Sequence, residues 1–158
     1  MKRKLLSMFT LAVTLLWGAS SWAQKTYEIG TAEELAAFAQ ATQDGEIDAN
    51  AVLTADIDYS GYMVTIGKDA TDYAGTFDGQ GHKVTLGVNR EGSGAALFWA
   101  TTSTGVIKNL ITDGVIDITE KYAAGICVYN HGTITNCASY VTINSAIEGD
   151  GLMVVSQL

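Results

Sequence analysis

Hydrophobic positions near the start of the chain follow the period of a helix. Within the segment 31–43 one stripe of side chains is apolar and the opposite stripe is polar. Thr31 and Glu34 have the spacing of a capping box, in which the hydroxyl and the carboxylate satisfy backbone donors of the first turn. The turn pair Asp44-Gly45 ends the pattern. The sequence therefore predicts an amphipathic helix over 31–43, preceded by a short strand from Gln24 to Ile29.

After this helix the period of the pattern changes to two, the spacing of strands. Apolar and polar side chains alternate over 50–58, which predicts one half-buried strand. Val64–Ile66 and Lys83–Leu86 are short β-branched or apolar runs that predict two further strands. The stretch Gly75–His82 predicts a strand entry followed by a tight turn, because its glycines permit positive φ. The polar, glycine-rich segment 89–94 predicts a loop.

A six-residue pattern recurs 27 positions apart in the second half of the chain. Gly105–Leu110 returns as Gly132–Cys137 with a shared Gly-x-Ile-x-Asn frame, and a β-branched run follows each copy. One such repeat cannot bury its own apolar face, so successive copies must stack. Short strands without proline favour parallel pairing of coil upon coil. We therefore predict an all-β fold, a short parallel β-helix with coils over 50–158 and the helix 31–43 capping its open end.

Asn109 and Asn136 occupy equivalent turns of the two repeats. If the coils stack, the two amides are placed to hydrogen-bond to each other as a ladder. Alternatively, each amide serves only the turn in which it lies. Both interpretations give these residues a structural role.

The two cysteines, Cys127 and Cys137, are either two buried thiols or a disulfide. Cys137 takes the place of Leu110 in the preceding repeat, which indicates an inward position. Neither cysteine has the neighbours of a zinc site. The alternative metal site is a calcium site built from acidic residues: Asp56, Asp58, Asp69, Asp72 and Asp78. No ligand-loop pattern accompanies them, so we predict no metal and no other cofactor.

The first 23 residues have the pattern of a cleaved export signal. Residues 2–4 are basic, the run from Leu5 to Trp17 is apolar, and the small residues Ser21 and Ala23 precede Gln24. The apolar run is shorter than the roughly 20 residues that cross a bilayer. We expect a signal peptide over 1–23, a domain over 24–158, and a secreted or cell-surface location without a membrane span. An uncleaved membrane anchor is the alternative.

Removal of this segment would make the chain strongly acidic. Without its three basic residues the chain keeps six of nine basic residues against 17 acidic ones, a net charge of −11. A nucleic-acid binder needs a basic surface that displaces counterions, so this class is excluded. We interpret the acidic surface as a contribution to solubility.

An ordered series of motifs resembles the N-terminal part of bacterial secreted or surface proteins that carry GLUG-type repeats. The motifs are Leu53–Gly61, Ile66-Gly67, Gly75–His82 and Ile107–Leu110, with a similar helix start at Thr31–Leu35. The similarity extends from about Tyr27 to Ser145. It implies a right-handed parallel β-helix, found in large bacterial adhesins and in accessory regions of surface peptidases.

The chain departs from this family in two ways. The Gly-Leu-x-Gly pattern is replaced by Ala96–Trp99 and Gly125–Val128. The family continues for many coils, whereas this chain reaches Leu158 just after Gly151–Val155 opens another. We therefore expect a shortened relative or a fragment, with an uncapped last coil that is open to end-to-end self-association.

Aromatic side chains are the candidates for stacking on a sugar, although they are also ordinary packing residues. Tyr59 and Tyr62 flank the turn Ser60-Gly61. We expect these two side chains to be exposed and name them as candidate ligand-binding residues. The other aromatic candidates are Tyr73, Trp99, Tyr122, Tyr129 and Tyr140, for most of which packing is the favoured role.

The competing class is an enzyme of β-helix fold, such as a polysaccharide lyase or hydrolase. Such chemistry needs paired carboxylates near a basic residue, and the basic candidates are His82, His131 and Arg90. Both histidines fall in turns rather than in a catalytic frame. We predict no catalytic residues and no enzyme activity. The predicted function is that of an exported, adhesin-like module contacting extracellular glycan or protein, with a polysaccharide-degrading fragment or a decayed fragment as alternatives.

Overall fold

A computed structural model describes residues 24–62, 64–68, 70–90, 95–119, 122–145 and 153–155. The expected signal peptide, residues 1–23, and the candidate Asp69 lie outside the described residues. The elements in chain order are β1 (Thr26–Ile29), α1 (Ala32–Gln43), β2 (Asn50–Leu53), β3 (Ile57–Asp58), β4 (Thr76–Asp78), β5 (Lys83–Arg90), β6 (Phe98–Thr101), β7 (Val106–Lys108), β8 (Ile111–Ile118), β9 (Tyr122–Ala124), β10 (Cys127–Asn130), β11 (Thr133–Thr135), β12 (Ala138–Ser145) and β13 (Met153–Val155).

The strands form four sheets in which every pairing is parallel. The first sheet has the order β1-β2-β4-β7-β11 and the second the order β3-β5-β8-β12; β9 and β13 form a third, and β6 and β10 a fourth. The chain passes through the sheets in that sequence and returns to the first one coil higher. Val106 pairs with Thr133 and Ile111 with Ala138, the predicted spacing of 27. The predicted fold class is confirmed: a short parallel β-helix of about four turns.

The predicted helix and its capping box are confirmed. The Thr31 hydroxyl accepts a hydrogen bond from the Glu34 N–H at 3.2 Å, and the Glu34 carboxylate accepts one from the Thr31 N–H at 3.1 Å. These two bonds satisfy donors that the first helical turn leaves without intrahelical partners. The helix ends at the predicted turn, where Gly45 has a φ of 114°.

The helix covers the N-terminal end of the stack, as predicted. Its Phe38 packs on Phe77 of the core with ring centroids 6.1 Å apart. The Gln43 side chain donates to the Thr65 carbonyl at 2.8 Å, and the Gly67 N–H donates to the Thr42 hydroxyl at 3.0 Å. The helix therefore closes the core beside β1, where the second and fourth sheets have no strand.

Aromatic rings fill the interior of the first coils. Phe98 lies 5.1 Å from Phe77 at nearly a right angle and 5.6 Å from Tyr73. The Tyr73 hydroxyl is buried and donates to the Ala49 carbonyl at 2.9 Å. The edge-to-face contact of Phe77 and Phe98 stabilises the core beyond the burial of apolar area alone.

Three strand boundaries differ from the sequence prediction. The single strand expected over 50–58 is two strands on different sheets, because the chain turns a corner at 54–56. Leu53 and Ile57 are both buried on either side of the corner, so the alternating pattern continues although the direction changes. Of the strand expected at 64–66, Ile66 forms an isolated bridge to Phe98. β5 continues past the predicted Leu86 into the segment expected to be a loop.

Candidate aromatic binding surface

Tyr59 and Tyr62 form a stacked pair, with ring centroids 5.1 Å apart and planes 6° from parallel. The expectation that Tyr59 is exposed is wrong, because it is only 3% exposed and its hydroxyl donates to the Val64 carbonyl at 2.9 Å. Tyr59 continues the alternation of β3, in which Ile57 also points inward. Burial raises the pKa of the Tyr59 hydroxyl, which stays protonated in this position.

Tyr62 is half-buried and holds the capping helix. Its hydroxyl donates to the Glu33 carboxylate at 2.7 Å, and this bond lowers the pKa of Glu33. A cavity of about 10 Å³ beside the pair is lined by apolar residues such as Leu86 and Val88. A cavity of this size holds at most about one water molecule, so it has no room for a sugar ring. The geometry at Tyr59 and Tyr62 therefore favours packing of the helix onto the coil below it.

A second aromatic group lies outside the central core. Trp99, Tyr122 and Tyr129, which we call the aromatic patch, have ring centroids 5.6 to 6.4 Å apart and meet edge to face or at a tilt. All three side chains are partly exposed. Beneath them lies a small buried floor of Ala96, Ala124 and Val128 that is separate from the main core. The patch is thus a preformed surface built from two neighbouring coils.

Strand alternation explains why the patch faces outward. In β6 the Phe98 side chain is fully buried in the core, so its neighbour Trp99 points away from it. In β9 the Ala123 side chain points into the core, so that of its neighbour Tyr122 points outward. Burial and a hydrogen bond with Tyr122 raise the pKa of Tyr129. Its hydroxyl is therefore protonated near neutral pH and presents a polar edge next to the apolar rings.

The turn after the patch is held by side-chain hydrogen bonds. The Thr101 hydroxyl donates to Asn130 Oδ1 at 2.7 Å and accepts from the Gly132 N–H at 3.1 Å. Asn130 follows Tyr129 directly, so these bonds fix the end of the strand that carries the patch. His131 is exposed in this turn, as predicted.

The asparagine ladder is confirmed and has a third member. Asn136 Nδ2 donates to Asn109 Oδ1 at 2.7 Å, and Asn109 Nδ2 donates to Asp78 Oδ1 at 2.9 Å. Asp78 also pairs with Lys108 at 3.1 Å. Burial raises the pKa of Asp78, but the hydrogen bonds from Asn109, the Gln80 N–H and Lys108 outweigh it and leave the pKa below its usual value. The ladder joins three successive coils along one corner of the stack.

Two other candidate carboxylates accept backbone hydrogen bonds, Asp56 from the next coil and Asp58 within its own turn. Asp56 Oδ1 accepts from the Lys83 N–H at 3.0 Å and lies 3.2 Å from His82 Nδ1. Asp58 Oδ1 accepts from the Ser60 N–H at 3.0 Å. The Lys83 N–H lowers the pKa of Asp56, and hydrogen bonds from Ser60 lower that of Asp58. Among the described residues no three His, Cys, Asp or Glu side chains come together as metal ligands would.

Both cysteines are free thiols, and only Cys127 has the buried position that the first of the two alternatives gave to both. Cys127 is buried in the core, and burial raises its pKa to about 12. Cys137 is half-buried and donates to the Thr135 carbonyl at 3.2 Å. Cys127 behaves as a small apolar residue, while Cys137 lies nearer the surface.

Comparison with protein-family models, curated proteins and solved structures finds no match to this chain. In the part of the chain that the structure describes, no helix combines the length and hydropathy of a membrane span.

Proposed function

We propose that this protein is an exported, non-enzymatic β-helix module that binds an extracellular glycan through the aromatic patch. The observation that carries the proposal is the position of Trp99, Tyr122 and Tyr129 outside the core, on a floor of small residues. A sugar ring has an apolar C–H face and a hydroxyl edge. Rings of Trp and Tyr offer the complementary combination of an apolar face and a polar tip.

Export is supported by the order of features in residues 1–23, a basic start, an apolar run and small residues before Gln24. The resemblance to surface proteins with GLUG-type repeats points to the same location. Adhesin-like contact with a cell-surface or matrix glycan follows from that location and from the patch. A protein ligand would use the same rings, because Trp and Tyr are enriched where protein interfaces are most deeply buried.

A binding role is favoured over catalysis because the candidate carboxylates already accept hydrogen bonds from the backbone. Asp56, Asp58 and Asp78 each accept backbone hydrogen bonds that fix their own or a neighbouring turn. A catalytic carboxylate must instead be oriented toward a reacting atom. His82 lies 3.2 Å from Asp56, but the same carboxylate oxygen already accepts the Lys83 N–H.

The proposal is tested by glycan titration followed through tryptophan fluorescence. If export removes residues 1–23, Trp99 is the one tryptophan left, so its emission reports directly on the patch. We expect a saturable change with some members of a panel of neutral and acidic oligosaccharides. Trp99→Ala, followed by calorimetry because it lacks the fluorophore, should weaken binding at least about tenfold, or ~1.4 kcal/mol. Tyr122→Ala should also weaken it.

Tyr140→Ala is the matched control, since Tyr140 is 70% exposed on β12 and is not part of the patch. Equal losses in the Trp99 and Tyr140 variants would contradict the proposal, as would an absence of binding across the panel. Depolymerisation of a glycan, abolished by Asp56→Asn, would instead establish the enzyme alternative.

A further inference from the structure

The three rings of the aromatic patch are steeply inclined to one another. Trp99 meets Tyr122 at 88° and Tyr129 at 73°, and the two tyrosine rings meet at 54°. A sugar stacks by laying its apolar C–H face flat against the face of an aromatic ring. Because the smallest of these angles is 54°, two of the rings cannot both lie flat against one sugar, nor against two sugars whose faces are parallel. The aromatic patch therefore supplies one stacking surface and not a row of them.

The rings also lie too close together to hold neighbouring sugars separately. Their centroids are 5.6 to 6.4 Å apart, and both contacts of Trp99 are edge to face. In an edge-to-face contact the rim of one ring lies against the face of the other. A sugar stacked on one ring therefore borders the edges of the other two. This gives the aromatic patch the extent of a single sugar unit.

Tyrosine hydroxyls add polar groups at the rim of the aromatic patch. The side chains of Tyr122 and Tyr129 hydrogen-bond to each other, which places their two hydroxyls side by side. A hydroxyl donates one hydrogen bond and accepts two, so the pair keeps capacity for further bonds to a ligand. The floor of Ala96, Ala124 and Val128 has no polar side chain. The hydroxyls of a stacked sugar would thus be contacted from the side.

The other aromatic candidates do not extend this surface. Tyr59 and Tyr62 are nearly parallel, at 6°, but Tyr59 is only 3% exposed and offers no face to a ligand. Tyr140 is 70% exposed, but it lies on β12 of the second sheet, whereas the aromatic patch lies on the third and fourth sheets. A long sugar chain laid across the aromatic patch would therefore not meet either of these candidates as the next ring in line.

We propose that the aromatic patch binds one sugar unit of a soluble glycan and does not bind the flat surface of a crystalline polysaccharide such as cellulose or chitin. This inference rests on the proposed function and narrows it to a class of ligand. Crystalline chains present many parallel sugar faces, which are matched by aromatic rings that share one plane. Rings inclined by 54° or more instead match one sugar that is stacked on a single ring and bordered by the others.

Calorimetry with sugars of increasing length tests the proposal. The probes are glucose, galactose, mannose and N-acetylglucosamine, each compared with its own linear trimer. We expect at least one monosaccharide to bind. Its trimer offers three equivalent units, so the dissociation constant of the trimer should be at most about threefold lower. Tyr122→Phe keeps the ring but loses the hydroxyl, and it should weaken binding of the monosaccharide about two- to tenfold. Tyr140→Phe, the same change outside the aromatic patch, should not alter it.

The outcomes separate this inference from the proposed function. Trimers that bind more than about tenfold tighter than their monosaccharides would show several subsites. That result would overturn the single-unit site and leave glycan binding in place. An absence of binding to every probe would overturn both. Sedimentation of the unmodified protein with microcrystalline cellulose or chitin gives a second measurement, in which we expect the protein to stay in the supernatant. Retention that Trp99→Ala abolishes would contradict the proposal.

Discussion

The ladder of Asp78, Asn109 and Asn136 gives a stability prediction that depends directly on the stacking of coils. Asn109 is the middle member, and its amide bonds to the coil on each side. Replacing it with glycine removes both bonds. Glycine also suits the backbone, because Asn109 has a φ of 53°. The substitution therefore tests the side chain rather than the turn.

The expected cost follows from the environment of each bond. Asp78 is 9% exposed and charged, and a hydrogen bond to a charged group contributes about 1.5–3 kcal/mol. The bond from Asn136 is neutral and exposed, so it contributes about 0.5–1 kcal/mol. Asn109→Gly should thus lower the free energy of unfolding by about 2–4 kcal/mol. Asn136→Gly should lower it by about 0.5–1 kcal/mol, because it removes the neutral bond alone.

Urea unfolding followed by far-ultraviolet circular dichroism measures these differences. The matched control is Gln80→Gly, since Gln80 has nearly the same φ of 52° but an exposed side chain outside the ladder. Its effect should stay within about 0.5 kcal/mol. If Asn109→Gly costs no more than Asn136→Gly, the central amide does not join three coils and the reasoning is refuted.

Three further predictions concern acid, packing and thiol reactivity. The pKa of Asp78 lies below its usual 3.8 in the folded protein, so the ionised carboxylate stabilises the fold fully above that value, and this stabilisation is lost as pH falls through the folded pKa. The urea concentration at the unfolding midpoint should therefore drop below about pH 4, and it should drop less in Asp78→Asn. A midpoint that does not change with pH would contradict this. Gly114 has a φ of 107°, and a Cβ at this position would collide with the Leu86 carbonyl oxygen of the neighbouring strand. Gly114→Ala should therefore lower the free energy of unfolding by more than about 3 kcal/mol. A loss under about 1 kcal/mol in thermal unfolding would contradict the register of β5 and β8. Ellman's reagent should modify Cys137 well before Cys127, whose pKa burial raises to about 12; equal rates would contradict the burial.

The repeat architecture was predictable because it rests on local rules that the fold does not override. The frame shared by Gly105–Leu110 and Gly132–Cys137 places equivalent turns one coil apart. The capping box at Thr31 and Glu34 uses only neighbouring residues, and it forms as expected. The ladder needed one further assumption, that the coils stack in register. Asp78 was missed as its third member because its turn is two residues longer than that of Asn109.

Corners and outward faces were harder to predict. Alternation of apolar and polar residues identifies which side chains are inward but not where the chain changes sheet, so the corner at 54–56 was missed. Closeness to the Ser60-Gly61 turn does not expose Tyr59, because the alternation that begins at Ile57 places its side chain inward. Aligning Phe98 with Cys127 would have put Trp99 outward beside the next coil. That alignment is the signal by which the aromatic patch could have been found.

Nuclear Overhauser contacts between β8 and β12 test most directly that the coils lie parallel and in register. Each residue from Ile111 to Ile118 should contact the residue 27 positions later, ending with Ile118 and Ser145. The difference between contacting residue numbers is then constant along the strands. Contacts in which the sum of the two numbers is constant would show antiparallel pairing and contradict the stacked coil.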